Sequence, residues 1–315
     1  MQLPRVALPT GDPAGIGPEI AFKAALDPAV RAICRPVLFT DPVVLRSHGC
    51  DAAKVELSQV AFSGELSIGK IKADHGRAAL ACAEAAIRAA LAGAFEAVVA
   101  APHTEAAIHA AGVEFDGYPS FVARVAGLPP EDGILMLCFR HQEREVRIAH
   151  VTLHTSVLGA LKLLTKDRVL RTLEATRRAL AGMGIEKPRI GVSGVNPHAS
   201  EGGLFGDEEA KTIIPAIEQA RREGIDAEGP IGADTLIQRP GFDAYVVMLH
   251  DQGHVAAKLL APQRVAGLTI GTPVLFSSVA HGSALDIAGQ GRASHAAMVE
   301  AITRLVAHRR RATAT

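Results

Sequence analysis

The feature that most constrains this chain is a repeated alternation of short, almost wholly apolar runs with longer amphipathic segments. "VAL" near Val6, "PVLFT" (Pro36–Thr40), "AVVAA" (Ala97–Ala101), "ILMLCF" (Ile134–Phe139), "VRIAHVT" (Val146–Thr152), "RIGVSGV" (Arg189–Val195) and "AYVVMLH" (Ala244–His250) read as strands. Runs this continuous belong to strands covered on both faces. Between them, "DHGRAALACAEAAIRAALAG" (Asp74–Gly93) and "DRVLRTLEATRRALAGMG" (Asp167–Gly184) space apolar residues three and four apart and stop at glycine, with Asp167 as the expected N-cap of the second. "GDEEAKTIIPAIEQARREG" (Gly206–Gly224) has acids in its first turn and bases in its last, which complements a helix dipole. The alternation predicts an α/β protein with a largely parallel sheet. In such folds ligands sit beyond the carboxyl ends of strands, so the residues that follow each apolar run are the ones to read for function.

Composition sets limits on that reading. The 315 residues suffice for one large or two moderate domains. Lys+Arg and Asp+Glu balance at 33 each, aromatics are 4% and Trp is absent, which argues against nucleic acid and anionic membranes as partners. The four cysteines, Cys34, Cys50, Cys82 and Cys138, form no C-x-x-C pair and are expected as buried thiols in a reducing compartment. No charged leader and no run of roughly 18 apolar residues is present, so a cytoplasmic protein is expected. The tail "HRRRATAT" reads as a solvated end.

Three histidines follow strand-like runs directly: His154 closes "AHVTLH", His198 follows "GVSGVNPH" and His250 closes "AYVVMLH". Position alone leaves two readings, structural imidazole or metal ligand. Three imidazoles with open coordination positions would make a catalytic metal site, and without a nearby thiolate the ion would be zinc or another divalent first-row metal. Around His198, Asn196-Pro197 marks a turn and Gly202, Gly203 and Gly206 let backbone approach a ligand closely. Glu201 and Asp207 are there either as supporting carboxylates or as solvated loop charges. In "TGDPAGIGPEI" (Thr10–Ile20), Gly15 to Pro18 make either an anion-binding helix start or a plain tight turn. "SSVAHGSALDIAGQG" (Ser277–Gly291) places His281, Ser283 and Asp286 either along a cofactor cleft or at a capped helix start.

The segments "GDPAGIGPEI", "NPHASEGGLFGDEE", "GPIGADTLI", "LHDQGH" and "SSVAHGSALDIAGQG" resemble, in order and over nearly the whole chain, the 4-hydroxythreonine-4-phosphate dehydrogenase (PdxA) family. The resemblance implies two α/β/α domains with largely parallel sheets, isocitrate/isopropylmalate dehydrogenase-like, with the active site in the interdomain cleft. The expected division is 1–130 plus 285–315 for the first domain, and 131–284 for the second, which carries the metal and the dimer interface. It implies NAD as oxidant, with Gly15, His281 and Asp286 as cofactor-binding candidates. It implies a divalent metal, zinc first and magnesium, manganese or cobalt as alternatives, held by His154, His198 and His250. The family forms this site at a homodimer interface, the last histidine coming from the neighbouring subunit. The family reaction oxidises a hydroxyl β to a carboxylate, and the β-keto acid then loses CO2. Asp234, in "GADTL", matches an active-site aspartate that positions substrate or relays a proton.

The departures from the family pattern point to the substrate. Where the family has Gly-His-Thr-Glu, this chain has "GYPS" (Gly117–Ser120), so Tyr118 and Pro119 replace a pair that touches a phosphorylated substrate. The family's Lys, Asn and Arg at the phosphate end align with Lys258, Gly267 and Phe276, and only the lysine remains. A phosphate wants several donors, an Arg fork above all, so a non-phosphorylated carboxylate substrate is expected. "PHTEAAIHAAGVEFDGYPS", "HVTLHTSV" and "LHDQGHVAAKLLAP" are similar to the terephthalate dihydrodiol dehydrogenases of aromatic degradation. That resemblance implies conversion of the terephthalate cis-dihydrodiol to protocatechuate, CO2 and NADH. Tyr118, Gly267 and Phe276 would then line the ring and Lys258 would meet the distal carboxylate, with His103 and His109 as further polar contacts. The alternatives are the 4-hydroxythreonine-4-phosphate dehydrogenase of pyridoxal phosphate biosynthesis, a related phosphorylated sugar-acid dehydrogenase, and a binding protein that has lost turnover.

Overall fold

In the computed structural model of the chain, residues 3–262 and 264–312 are described, those from 308 to 312 by their backbone alone. The described residues form strands β1 (Arg5–Pro9), β2 (Arg35–Thr40), β3 (Glu56–Gln59), β4 (Ala97–Ala100), β5 (Ile134–His141), β6 (Arg144–His150), β7 (Arg189–Ser193), β8 (Asp226–Ile231), β9 (Ala244–Val247), β10 (Ala266–Ile270) and β11 (Phe276–Val279). The chain divides into two compact units, one built from the chain up to Leu128 together with Thr272–Ala307, the other from Pro129–Gly271.

The first unit carries the parallel strands β3-β2-β1-β4-β11. β1 pairs with β2 on one side and β4 on the other, so the strand order reverses between β1 and β4 and the loops after those strands face each other. The helix Ala73–Leu91 covers this sheet with a face of small residues, among them Ala79, Ala83 and Ala86. Its Gly76 lies so close to the next element that a Cβ there would meet the Ala107 carbonyl at 2.3 Å. The chain returns to this unit at Thr272 rather than at residue 285, because Ser277 of β11 pairs with Val99 of β4.

The second unit orders its strands β10-β5-β6-β9-β7-β8. β10, β5 and β6 are antiparallel neighbours, and the remaining pairs are parallel. The molecule is therefore α/β with a mostly parallel sheet, as the alternating pattern predicts. The core of this unit packs Phe139, Ile148, Tyr245 and Val247 against Leu236 and Ala257.

Several elements differ from the sequence-based expectation. β9 stops at Val247, and His250 opens a helix, His250–Leu260, instead of closing the strand. The helix expected from Asp167 is Lys166–Gly182 and its N-cap is Thr165, whose hydroxyl accepts from the Arg168 N–H. Asp167 sits in the first turn, still favourable for the dipole. The 206–224 segment begins as a π-turn, Glu209–Ile213, before the α-helix Ile214–Arg222. Pro215 has no N–H to return to the preceding turn, which favours that irregularity. All four cysteines are buried thiols. The terminal helix backbone runs Ala296–Ala312, so the expected solvated tail begins as helix, and its last three residues lie outside the described residues. Among the described residues no helix is long and apolar enough to cross a membrane.

Candidate active site

β6, β9 and β7 are adjacent parallel strands, and His154, His250 and His198 respectively follow their carboxyl ends. The first two are brought together by a continuation of strand pairing. The Val151 N–H donates to the Val247 carbonyl, and Thr152 donates to the Met248 carbonyl through both its N–H and its hydroxyl, the latter at 2.7 Å. The His154 and His250 rings then lie with centroids 5.6 Å apart.

Each residue of "HDQGH" has a separate task. His250 directs its Nδ1 to Asp251 Oδ1 at 2.7 Å. A carboxylate only accepts, so Nδ1 carries the proton and Nε2 presents its lone pair. The same contact holds Asp251 below the usual carboxylate range. Gln252 is a clamp. Its Oε1 accepts from the N–H groups of Met248 and Leu249, at 2.9 and 3.0 Å, and its amide donates to the Gly194 carbonyl at 3.0 Å. It thereby ties the start of the His250 helix to the turn that leads to His198. Gly253 makes room for a fourth imidazole, since a Cβ there would stand 2.3 Å from His150 Nε2. His254 stacks on His250, with centroids 3.8 Å apart and planes 7° from parallel. Burial first, and His250 second, push the His254 imidazole down to about 4. At neutral pH it is therefore uncharged.

His198 sits in a tighter setting. It starts a run of four non-glycine residues in the left-handed region, His198 to Glu201, with φ from 44° to 66°. Each such residue costs about 1–2 kcal/mol, so the turn needs external support. Glu209, 1% exposed and part of the π-turn, supplies it. Its carboxylate accepts from the N–H groups of Val195 and Asn196 and from the Asn196 side-chain amide, each at 2.8 Å. His198 Nδ1 meets Glu201 Oε1 at 2.9 Å, which again leaves Nε2 as the free acceptor. Of the two acids in this loop, Glu201 thus supports the imidazole, whereas Asp207 pairs with Lys211 and faces solvent. Asp234 opens the short helix Ala233–Leu236 beside this turn. A Cβ on Gly232 would lie 2.7 Å from Asp234 Oδ1 and 3.5 Å from His198 Cα, so this glycine lets the two approach.

Two carboxylate-anchored imidazoles with outward Nε2 atoms are a donor set that suits a divalent metal. Within one chain, however, the described residues contain no group of three or more His, Cys, Asp or Glu disposed to hold such an ion. His154 joins His250, and His198 stands apart with Glu201 and Asp234. Further along the helix, His250, His254 and Lys258 follow one another at four-residue spacing and so share a face. Gly267 is a buried residue of β10 opposite Leu137, and offers a ligand nothing beyond backbone.

In the first unit the structure brings Gly15 and the 277–291 loop together. The Ile16 N–H donates to the Ser283 carbonyl at 2.8 Å, and a Cβ on Gly15 would lie 2.6 Å from Ser283 Cβ. Thr104 donates its hydroxyl to Ser283, which ties the loop after β4 to the same place. His281 and Asp286 are exposed on that loop. Tyr118 and Phe276 are placed differently from the expectation. They are 4% and 0% exposed, their rings are 5.1 Å apart, and both belong to the hydrophobic core of this unit. His103 is the half-buried neighbour of that core, edge-on to Phe115 and Tyr118 at 4.8 and 4.6 Å. His109 lies exposed in the last turn of Glu105–Ala110.

The residues that the sequence reading passed over are His150, Gln252, His254 and Glu209. The i, i+4 spacing of His250 and His254 was a signal for one of them. The other three act through contacts between segments 58 to 104 positions apart or through a buried turn, which no local pattern reports.

Against known proteins, residues 27–305 match the family described as "Pyridoxal phosphate biosynthetic protein PdxA". A 1,2-dihydroxy-3,5-cyclohexadiene-1,4-dicarboxylate dehydrogenase of Comamonas sp is 40% identical, over 96% of each chain. A D-threonate 4-phosphate dehydrogenase of Cupriavidus necator is 37% identical, over 95% of this chain and 96% of that protein. Among solved structures, a terephthalate 1,2-cis-dihydrodiol dehydrogenase from Burkholderia xenovorans LB400 is 42% identical with a TM-score of 0.68, covering 97% of this chain and 98% of that one.

Proposed function

The chain belongs to the PdxA family, and from that premise we propose that it is a metal- and NAD-dependent dehydrogenase. It oxidises a hydroxyl β to a carboxylate and releases CO2, and its substrate is the terephthalate cis-dihydrodiol. In that substrate one ring carbon carries a hydroxyl and a carboxylate, and its neighbour carries the other hydroxyl. Oxidation of the neighbouring carbon removes a hydride, which bound NAD would accept, and the hydroxyl proton, which goes to a base. The C–COO bond then breaks, CO2 departs and the ring becomes the catechol of protocatechuate, so aromatisation adds driving force. When bound, a divalent ion would polarise the reacting oxygen and stabilise the charge that develops there, zinc being the first candidate.

The protein's own part is to hold and orient. His154, His198 and His250 are the ligands in this reading, and Glu201 and Asp251 fix two of the rings so that Nε2 faces outward. Asp234, exposed beside His198, is the base for the hydroxyl proton in this reading. Gly15, His281 and Asp286, on the loops joined at Ser283, are assigned to the nicotinamide cofactor. A second subunit would complete the metal site. In support, the segments that carry the histidines expose large apolar side chains, with Leu158 65%, Leu204 70% and Leu259 76% exposed.

The observation that carries the substrate reading is the His250 helix face. It offers a single cation, Lys258, beyond two imidazoles, while Gly267 and Phe276, at the places of a phosphate-holding Asn and Arg, contribute no donor. One ammonium matches the distal ring carboxylate better than a phosphate dianion. Tyr118 and Phe276 serve in this reading as the apolar packing behind the site, in place of direct contacts.

The test is NADH formation with added Zn2+ or Mg2+, comparing the cis-dihydrodiol with 4-phosphohydroxy-threonine and D-threonate 4-phosphate. Turnover of the diol alone is expected. Turnover of a phosphate ester alone would replace this reading with the family's phosphorylated substrates.

A further inference from the structure

We propose that His254 is a positioning residue for His250, holding the plane of its ring so that Nε2 meets the metal, and that His150 backs it from the interior. This rests on the assignment of His250 as a metal ligand made above.

Three contacts define the arrangement. His254 lies face to face with His250 at 3.8 Å and 7°. Its Nδ1 meets the His250 carbonyl at 3.1 Å. A carbonyl only accepts, so Nδ1 carries the proton, and that bond fixes both tautomer and ring position. Behind His254, at 4.8 Å, stands His150, 3% exposed, with its Nδ1 directed to the Leu135 carbonyl.

The pairing of His250 with Asp251 restrains the ring at one edge only. Asp251 is 85% exposed in its side chain, so solvent competes for that bond. An imidazole pinned at Nδ1 alone still rocks about the Cβ–Cγ bond. A flat partner at van der Waals distance removes that freedom, and preorganised ligands bind a metal more tightly than mobile ones. His254 can serve as that partner because it is itself immobilised by its own main-chain bond and by His150. Gly253 is what admits His150, since any side chain there would occupy the place of its Nε2. The last three residues of "DQGH" then have one purpose: the clamp sets the helix start, the glycine admits the backing ring, and the second histidine fixes the first.

The experiment measures zinc affinity by competition with a chromophoric chelator on the full-length protein, together with the melting temperature of the metal-free form. The variants are His254→Ala, His254→Phe and His250→Ala. His254→Ala is expected to weaken zinc binding by about 10–100-fold, the usual range for a residue that orients a ligand. His254→Phe, which keeps a flat ring, is expected to recover most of that loss. His250→Ala is expected to lose more than either. If zinc affinity falls equally in His254→Ala and His254→Phe, the stacking role is overturned. If both bind like the parent while His250→Ala does not, the positioning role fails and the ligand assignment stands. If His250→Ala binds zinc like the parent, the ligand assignment itself fails.

Discussion

A cluster of rings in the second unit and one in the first are built on opposite terms. In the second unit, His150, His254, His250 and His154 form a row with neighbouring centroids between 3.8 and 5.6 Å apart. In the first, Phe115, Tyr118 and Phe276 meet at 5.1 to 5.8 Å, with His103 on their edge. The separations are alike. What differs is the use of polar atoms. In the imidazole row three Nδ1 atoms have defined acceptors, a main-chain carbonyl for His150 and His254 and the Asp251 carboxylate for His250, so each Nε2 is left as a lone pair. Among the three aromatic rings of that cluster, the one polar group, the Tyr118 hydroxyl, is spent on the Ala101 carbonyl at 3.4 Å. Similar ring packing therefore leaves imidazole lone pairs open in one unit and makes a piece of core in the other. The lesson is that partners, rather than proximity, mark the chemical site.

The largest expected effect would break that contrast at its centre. His250→Ala should lower dehydrogenase activity by more than about 100-fold, beyond the range for outer-shell partners, with the metal-free melting temperature little changed because His250 is half-exposed. Turnover and metal content checked on the same preparation decide it. Retained activity would mean that the row is structural after all.

Next comes the other cluster. Phe276 is fully buried among Val98, Val122 and Tyr118, so Phe276→Ala should cost about 3–5 kcal/mol of stability. KM for the diol should stay near the parental value in the folded fraction. Denaturant unfolding alongside steady-state kinetics checks both. A raised KM without lost stability would return Phe276 to the substrate pocket, where its alignment with a phosphate-holding arginine first put it.

Asp251→Asn should act more mildly, weakening zinc binding by about 10–100-fold at unchanged folding stability, since Asp251 is exposed and touches His250 alone among the imidazoles. Chelator competition measures it. An unchanged affinity would assign the orientation of His250 wholly to His254.

How much of this was legible in the chain depends on where each residue's environment comes from. Strands buried on both faces announced themselves, because β4, β9, Val6–Pro9 of β1 and Ile134–Phe139 of β5 run apolar without polar alternation. β3 and β8, written "ELSQ" and "DAEGPI", did not, because each ends a strand order and needs no apolar face on its open side. "FSSV" of β11 is too short and too polar to separate from loop. That His154, His198 and His250 follow the carboxyl ends of neighbouring strands could be read, because the apolar runs before them mark where strands end. That Gln252 bridges to Gly194, or that Gly253 exists for the sake of His150, could not be. Those facts depend on which strands become neighbours, and β9 lies between β6 and β7 although all of β7 and β8 precedes it in the chain. The burial of Tyr118 and Phe276 was hidden for a related reason. Alignment with polar residues of a family says where a side chain sits along the chain, while burial decides whether a ligand can reach it.

The smallest effect is a matter of pH, and it separates the two clusters without touching a ligand. Burial, with His254 second, pushes the His150 imidazole down from 6.5 to about 3. Between those values the unfolded chain takes up a proton that the folded chain refuses. Stability therefore rises with pH across that window and is lost as pH falls below the unfolded value, by at most about 1.4 kcal/mol per pH unit for this one group. His150→Leu removes the group. Relative to the parent, the variant should gain about 2 kcal/mol on going from neutral pH to about pH 5, whatever its offset at neutrality. Phe276→Ala has no such group to lose, so its deficit should stay constant over the same range. Thermal melts of the three metal-free proteins across that range would show converging curves for one variant and parallel curves for the other. Parallel curves for both would mean that His150 is hydrated in solution, and that the row of imidazoles is less closed on its inner side than the placement of Gly253 requires.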